Sequence, residues 1–275
     1  MRSTLYLTTG SEEIRFNCPR CGDSKYHLYF NPRKRLFNCF RCGYSGRGFP
    51  KDVNVYIVPP TPKASEARTP RLINWEPLAP QPRSIFEEVI LDYLLHTRSL
   101  SLDIIREYRL GWSSDLPFAV VIPIYMNNSL VALQVRHLTQ TKAKYLFYPV
   151  DETPLKKKVL LFNYDRVKHL DTVFVMEGIF DVLCADPQRA VCTFGKQISA
   201  DQSKLLATFA KTVILAYDPD VKLGELQKSV DRLESYGIQV YIKRLPNGKD
   251  PADLGSSFHS LPESRFDYFV AQLII

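Results

Sequence analysis

The chain has 275 residues, 45% of them apolar and 24% charged, which is enough for packed cores in one large domain or in a small and a medium one and excludes a disordered protein. No segment approaches the ~20 continuous apolar residues of a membrane span, and no charged leader precedes an apolar run at the N-terminus, so a cytoplasmic location without a membrane partner is expected. The net charge of +7 sits at one end: residues 1–51 hold ten Lys and Arg against three acids, while 26 bases and 26 acids balance in the rest, which points the first fifth of the chain toward a polyanion.

Within that basic fifth, CPRC at 18–21 and CFRC at 39–42 form a C-x2-C-x17-C-x2-C pattern, each pair followed by Gly22 or Gly43. A glycine there lets the backbone turn so that both sulfurs of a pair face one ion. Four thiolates leave no open coordination position, so Cys18, Cys21, Cys39 and Cys42 are expected to hold one structural zinc ion. Between the pairs, KYHLYFNPRKRLFNC reads as two short strands around a turn bearing Arg33, Lys34 and Arg35. Some of its aromatic rings must form the small core beneath the metal. The basic turn has no such duty, and bases beside exposed rings suit single-stranded nucleic acid, where cations meet phosphates and rings stack on bases. Cys184 and Cys192 read as ordinary core residues.

Seven prolines fall between Pro59 and Pro82, in a stretch without helical or alternating period, so residues 59–83 are expected to be an extended linker between a zinc domain at 1–58 and a larger core at 84–275. The pattern of 85–110 is helical. Two apolar runs, FAVVIPIY (118–125) and LVALQVRHL (130–138), flank Asn127-Asn128 and predict a hairpin. From Leu160 the pattern alternates: strands at 172–176, 190–194, 212–217 and 239–245, with helices near 179–186, 200–210 and 223–236. Ser199 with Gln202 fits a capping box. Continuous apolar strands separated by helices predict a parallel sheet covered on both faces, hence an α/β core. The expected division is a mixed basic subdomain at 84–168 and the α/β domain at 169–260.

Acids gather where these strands end. Glu177 and Asp181 lie in E-G-x-x-D after the first strand, Asp218 and Asp220 in D-P-D after the third, and Asp250 and Asp253 in KDPAD after the fourth. Open α/β sheets place ligands beyond the carboxyl ends of their strands. Hard oxygen donors at one sheet edge suit magnesium, which would position triphosphate oxygens for in-line attack.

In this order, EGIFDVLCA, TFGKQISADQSKLL, VILAYDPD and LPNGKDPADLG resemble the successive motifs of the Toprim catalytic domain of bacterial and phage DnaG-type primases. IREYRLGWSS, VVIPIY, VRHL, KYLFYP and LLFNYDR resemble that family's basic subdomain, and the cysteine module resembles its zinc ribbon in the four-cysteine form of phage primase-helicases. The resemblance implies template-directed synthesis of short RNA primers from ribonucleoside triphosphates on single-stranded DNA. It implies Glu177, Asp218 and Asp220 as catalytic residues, with Glu177 a metal ligand or general base. It also implies Asp181, Asp218, Asp220 and Asp250 as holders of two or more magnesium or manganese ions, and Arg136, Lys144 and Tyr145 as template or nucleotide contacts. Bases between 136 and 168 are expected to line the template path.

The departures matter. D-P-D replaces the usual D-G-D, so Pro219 stiffens the turn, and Ala252 stands where a further Asp is common, which leaves Asp253 one position late and outside the expected ligand set. The chain ends soon after these motifs, so a stand-alone primase with a separate replicative helicase as partner is expected. Two rivals use the same parts: a non-enzymatic recombination mediator of the RecR kind, and a Toprim nuclease. The basic segment 118–168 and the full carboxylate set favour the primase.

Overall fold

The structure, a computed structural model, describes residues 3–7, 14–23, 25–31, 33–48, 50, 55–56, 73–82, 84–116, 118–139, 143–150 and 156–273. The stretch 59–72 of the expected linker, and Lys142 among the expected template-lining bases, lie outside them. The chain falls into two compact units, residues 1–123 with 133–152 and residues 124–132 with 153–275.

In the first unit, β1 (Ser3–Leu7), β2 (Ile14–Phe16), β3 (Leu28–Asn31), β4 (Leu36–Cys39), β5 (Ser45–Arg47) and β6 (Val55–Tyr56) form one sheet in the order β5-β4-β3-β2-β1-β6. Alternation puts Leu28 and Phe30 of β3 and Phe37 and Cys39 of β4 on the buried face, with Phe30 directly opposite Phe37. This little core is not self-contained: Val89 and Phe118 complete it, with Ile85 and Phe86 packed alongside. Val89 lies in α1 (Ile85–Asp92), N-capped by the Ser84 hydroxyl and continued by a π-helical turn at Tyr93–Thr97. Phe118 meets Phe86 edge-on at 5.1 Å. Then follow α2 (Leu102–Glu107) and a second sheet in the order β11-β10-β9-β8-β7, built from β7 (Glu76–Pro77), β8 (Gly111–Trp112), β9 (Ala119–Met126), β10 (Ser129–His137) and β11 (Tyr145–Pro149). The β9–β10 hairpin was foreseen within a residue at its ends.

Two sequence expectations change here. The end of the presumed linker is part of the fold, since Glu76 and Pro77 pair with Trp112 and Gly111; a proline tolerated on an edge strand disguised it. The basic turn is also engaged. Arg33 Nε donates to Glu88 Oε1 at 3.3 Å and Arg35 Nε donates to Asp92 Oδ1, both acids lying on α1. Asp92 is buried, so it needs that cation. The expected boundary between ribbon and core is therefore bridged by a shared apolar cluster and two ion pairs.

The second unit holds the α/β sheet, in the order β13-β12-β14-β15-β16. Strands β12 (Thr172–Met176), β13 (Ala190–Cys192), β14 (Thr212–Leu215) and β15 (Gln239–Lys243) are parallel, and β16 (Glu263–Ser264) runs antiparallel to β15. The crossovers are α4 (Ile179–Ala185), α5 (Ala200–Leu206) and α6 (Leu223–Glu234); α3 (Tyr164–Val167) precedes them, and α7 (Pro251–Leu254) and α8 (Phe266–Leu273) follow. Val173, Val175, Val213, Leu215, Val240 and Ile242 pack in one cluster with Leu206, Val230 and Leu233 of α5 and α6. On β12 the alternate residue Phe174 meets Phe258 at 5.2 Å. Both faces are thus covered, as the apolar runs required. The expected capping box at α5 is present, with Ser199 Oγ accepting the Gln202 N–H and Gln202 Oε1 accepting the Ser199 N–H, both at 3.0 Å. The hairpin tip groups with this unit, because Asp165 accepts the N–H groups of Asn127 and Asn128.

Candidate active site and metal centres

The chain leaves β12 toward β13 on one side and later returns to β14 on the other, so the strand order reverses at the carboxyl ends of β12 and β14. Such a switch point opens a crevice, and Glu177 and Asp218 follow these two strands. One oxygen each from Glu177, Asp218 and Asp220 lie within 4.8 Å of one another. Glu177 Oε2 and Asp218 Oδ1 are buried without a hydrogen-bond partner. Burial and the field of Asp218 push the Glu177 carboxyl up to about 7. Burial and the field of Asp250 push Asp218 up to about 6. Orphaned buried oxygens on crowded carboxylates are costly alone and are satisfied by a divalent cation bound to hard oxygens, so the residues present fit a magnesium-type ion. Asp220 is exposed and meets the Lys196 ammonium at 2.5 Å.

The other two acids have backbone duties. Asp181 Oδ2 accepts the Gly178 N–H at 2.8 Å at the start of α4. A Cβ on Gly178 would stand 2.9 Å from that oxygen, so a larger residue there would push the Asp181 carboxylate off its cap. Asp181 is buried, and burial with the field of Asp218 pushes its carboxyl up to about 7. Asp250 caps α7, its Oδ1 accepting the Asp253 N–H at 2.7 Å while Asp253 Oδ2 accepts the Asp250 N–H at 3.4 Å. Asp181 and Asp250 thus stand outside the close triad, yet the field of Asp250 reaches Glu177 and Asp218, and Asp181 feels the charges of both. Lys196 was missed by the sequence reading, which had no reason to single out one lysine in a loop.

In the first unit, the sulfurs of Cys18 and Cys42 lie 3.7 Å apart and those of Cys21 and Cys39 3.9 Å apart, with all four in one cluster. A tetrahedral zinc with bonds of ~2.3 Å needs S···S separations of ~3.8 Å. Gly22 (φ 62°) and Gly43 (φ 70°) make the two turns, and the Gly43 N–H donates to the Cys39 carbonyl. The Tyr44 backbone N–H draws the Cys42 thiol down to about 7, toward the thiolate form, whereas burial pushes Cys18 up to about 12 and raises Cys21, so these two need the cation itself to ionise.

Arg136 of β10 is buried rather than lining a surface. Its Nε donates to the Tyr93 hydroxyl at 2.5 Å and its terminal nitrogen to the Tyr145 hydroxyl at 2.6 Å, with its carbon 4.9 Å from the Tyr145 ring centre. Arg98 Nε donates to the same Tyr93 hydroxyl at 2.6 Å. Two guanidinium groups thus converge on one phenol, and neither Arg98 nor Tyr93 was legible as a partner of Arg136. Lys144 is exposed, its carbonyl accepting the His137 N–H. Lys168 is paired with Asp165 at 2.9 Å, which removes it from a free basic lining.

Residues 174–254 match the Toprim-like family. A DNA primase of Staphylococcus aureus is 30% identical over 131 residues, which are 44% of this chain and 22% of that protein, so the alignment spans about a fifth of the relative's length. The structure of the zinc-binding and RNA polymerase domains of the Aquifex aeolicus primase matches with a TM-score of 0.53 at 20% identity, covering 94% of this chain and 81% of that one. The E. coli primase catalytic core matches with a TM-score of 0.55 at 19% identity, covering 67% and 76%. The chain thus carries a Toprim-like segment at 174–254, is similar over part of its length to bacterial DNA primases, and has the fold of a zinc-ribbon module with an α/β Toprim core.

Proposed function

We propose that this chain is a DNA primase that joins ribonucleotides on single-stranded DNA. The observation that carries the reading is the triad of Glu177, Asp218 and Asp220 at the strand ends, with two buried oxygens that lack a partner. Asp218 and Asp220 would hold divalent ions, and Glu177 completes the set. Magnesium or manganese bound there would neutralise the triphosphate of an incoming nucleotide and favour in-line displacement of pyrophosphate. The rigid ends of β12 and β14 keep the carboxylates in place, which limits the reorganisation the reaction demands. Asp181 and Asp250 stiffen the turns that carry the site and add negative field that favours cations.

The single-stranded template would be held by exposed basic residues of the first unit. Lys144 and Tyr145 serve template or nucleotide, with the buried Arg136 positioning the Tyr145 ring, and Lys34 with the exposed Phe40 of the ribbon serves phosphate and base. The ribbon's zinc is structural, since all four cysteines are spent on it. A separate replicative helicase and a cytoplasmic setting complete the proposal.

The test is incubation of zinc-loaded protein with ribonucleoside triphosphates, magnesium or manganese, and single-stranded DNA. Oligoribonucleotides that depend on the template support the reading. DNA fragments would assign a nuclease, and neither product would leave a binding protein.

A further inference from the structure

The acidic crevice contains a cation of its own. Lys196 lies in the loop joining β13 to α5, and its ammonium sits 2.5 Å from Asp220 Oδ2. Asp220 belongs to the triad whose oxygens are within 4.8 Å of one another, and the field of Lys196 also acts on Glu177 and Asp218. The ammonium therefore stands at the rim of the volume that a divalent ion would fill. Two cations in contact with one carboxylate repel strongly, so an ion arriving at Asp220 must move Lys196. Movement is feasible. The side chain is 40% exposed on a flexible four-carbon stem, and a Cβ at the neighbouring Gly195 would meet nothing within 4 Å.

Charge balance says where the ammonium goes. Three triad carboxylates and two divalent ions would leave a single positive charge, and Asp250 and Asp181, which interact with Glu177 and Asp218, bring more negative charge nearby. A triphosphate adds several further negative charges, so the crevice needs a cation from the protein. We infer that Lys196 is a polyphosphate-binding residue that exchanges partners: it holds Asp220 when the carboxylates lack a divalent ion, and a phosphate oxygen of the nucleotide once they have one. The inference rests on the nucleotidyl-transfer reading of this site and names its contact to the triphosphate tail.

The test uses the full zinc-loaded chain, with Lys196→Gln and Lys196→Arg, in titration calorimetry. With manganese alone, Lys196→Gln should bind about threefold tighter or more, because no ammonium has to leave. In saturating manganese it should bind ATP about tenfold more weakly, with adenosine binding unchanged and Lys196→Arg close to wild type for ATP. The assignment is overturned by a Gln variant that binds manganese no tighter or ATP no weaker, by an Arg variant as impaired as Gln, or by wild-type protein that binds no ATP in manganese. RNA synthesis is scored separately. A wild-type protein that makes no RNA yet shows the Lys196-dependent exchange refutes the primase reading and leaves this assignment standing.

Discussion

Removing the charge of Asp181 should stabilise the protein when no divalent ion is present. The residue is 8% exposed, and burial with the field of Asp218 raises its carboxyl to about 7, against ~3.9 in an unfolded chain. A group whose folded pKa is raised contributes stability that is complete below the unfolded pKa and is lost as pH climbs through the folded one. Here the loss runs from about pH 4 to about pH 7, roughly 3 pKa steps of ~1.36 kcal/mol, a ceiling of ~4 kcal/mol. Relaxation in a crevice open to water brings this to ~2 kcal/mol. Asp181→Asn removes the charge and keeps an acceptor for the Gly178 N–H. In resin-treated buffer that strips magnesium and leaves zinc bound, scanning calorimetry at pH 8 should show a Tm ~4–8 °C above wild type. At pH 5, only ~1 unit above the unfolded pKa, the gain should fall to about a third. Adding manganese at pH 8 should raise the wild type more than the variant. An equal Tm difference at both pH values, or a loss at both, would show that Asp181 serves only as a helix cap.

The remaining predictions concern catalysis, the basic turn and zinc. Asp218→Asn should abolish RNA synthesis on a gel while zinc content and far-UV dichroism stay unchanged; Asp253→Asn, which loosens the cap with Asp250 and removes a minor charge acting on Asp218, should lose little, and near-normal synthesis by the first variant would defeat the active-site assignment. Lys34→Ala should flatten the salt dependence of single-strand binding by ~0.7 log unit, and an unchanged slope would show that Lys34 merely faces solvent. Arg35→Ala should instead lower thermal stability, by roughly 2 kcal/mol, because Asp92 stays buried without its cation and the 40% exposed Arg35 is partly screened; a melting curve like wild type would mean that the ion pair contributes nothing. Chelation of zinc should dissolve the β3–β4 ribbon and lower the Tm of the whole chain, and a metal-free protein with intact melting would exclude a structural role for the ion.

What the sequence disclosed depended on locality. The strand 172–176 and the helices after it are legible because apolar runs and caps repeat at short range, and an acid directly after such a run lands at the sheet edge. Four cysteines in two short pairs are equally local. Arg33 and Arg35 looked free because their partners lie 55 and 57 residues away, and no periodicity links a hairpin turn to a helix so distant. Glu76 and Pro77 were hidden by the prolines around them, although a two-residue edge strand needs little propensity once Trp112 is in place to pair. Asp181 and Asp250 were assigned to metal along with the triad, whereas their carboxylates also close helix caps. Sequence marks an acid after a strand; it does not say whether a backbone N–H reaches it first.

The shared core of ribbon and helix would make the cysteines a point of redox input. Val89, which closes the ribbon, and Tyr93, which receives Arg136 and Arg98, lie four residues apart along the same run of helix. Oxidation of the four thiols would remove the ligands of a bound zinc and slacken the ribbon face on which Val89 rests. The disturbance would then reach Tyr93 and its two guanidinium donors through the turn that continues α1. Peroxide should accordingly release zinc and raise hydrogen exchange across residues 85–98 together; exchange there that stays protected after zinc loss would show that α1 stands without the ribbon. Under the proposed function, a template contact that depends on the ribbon in this way would weaken on oxidation.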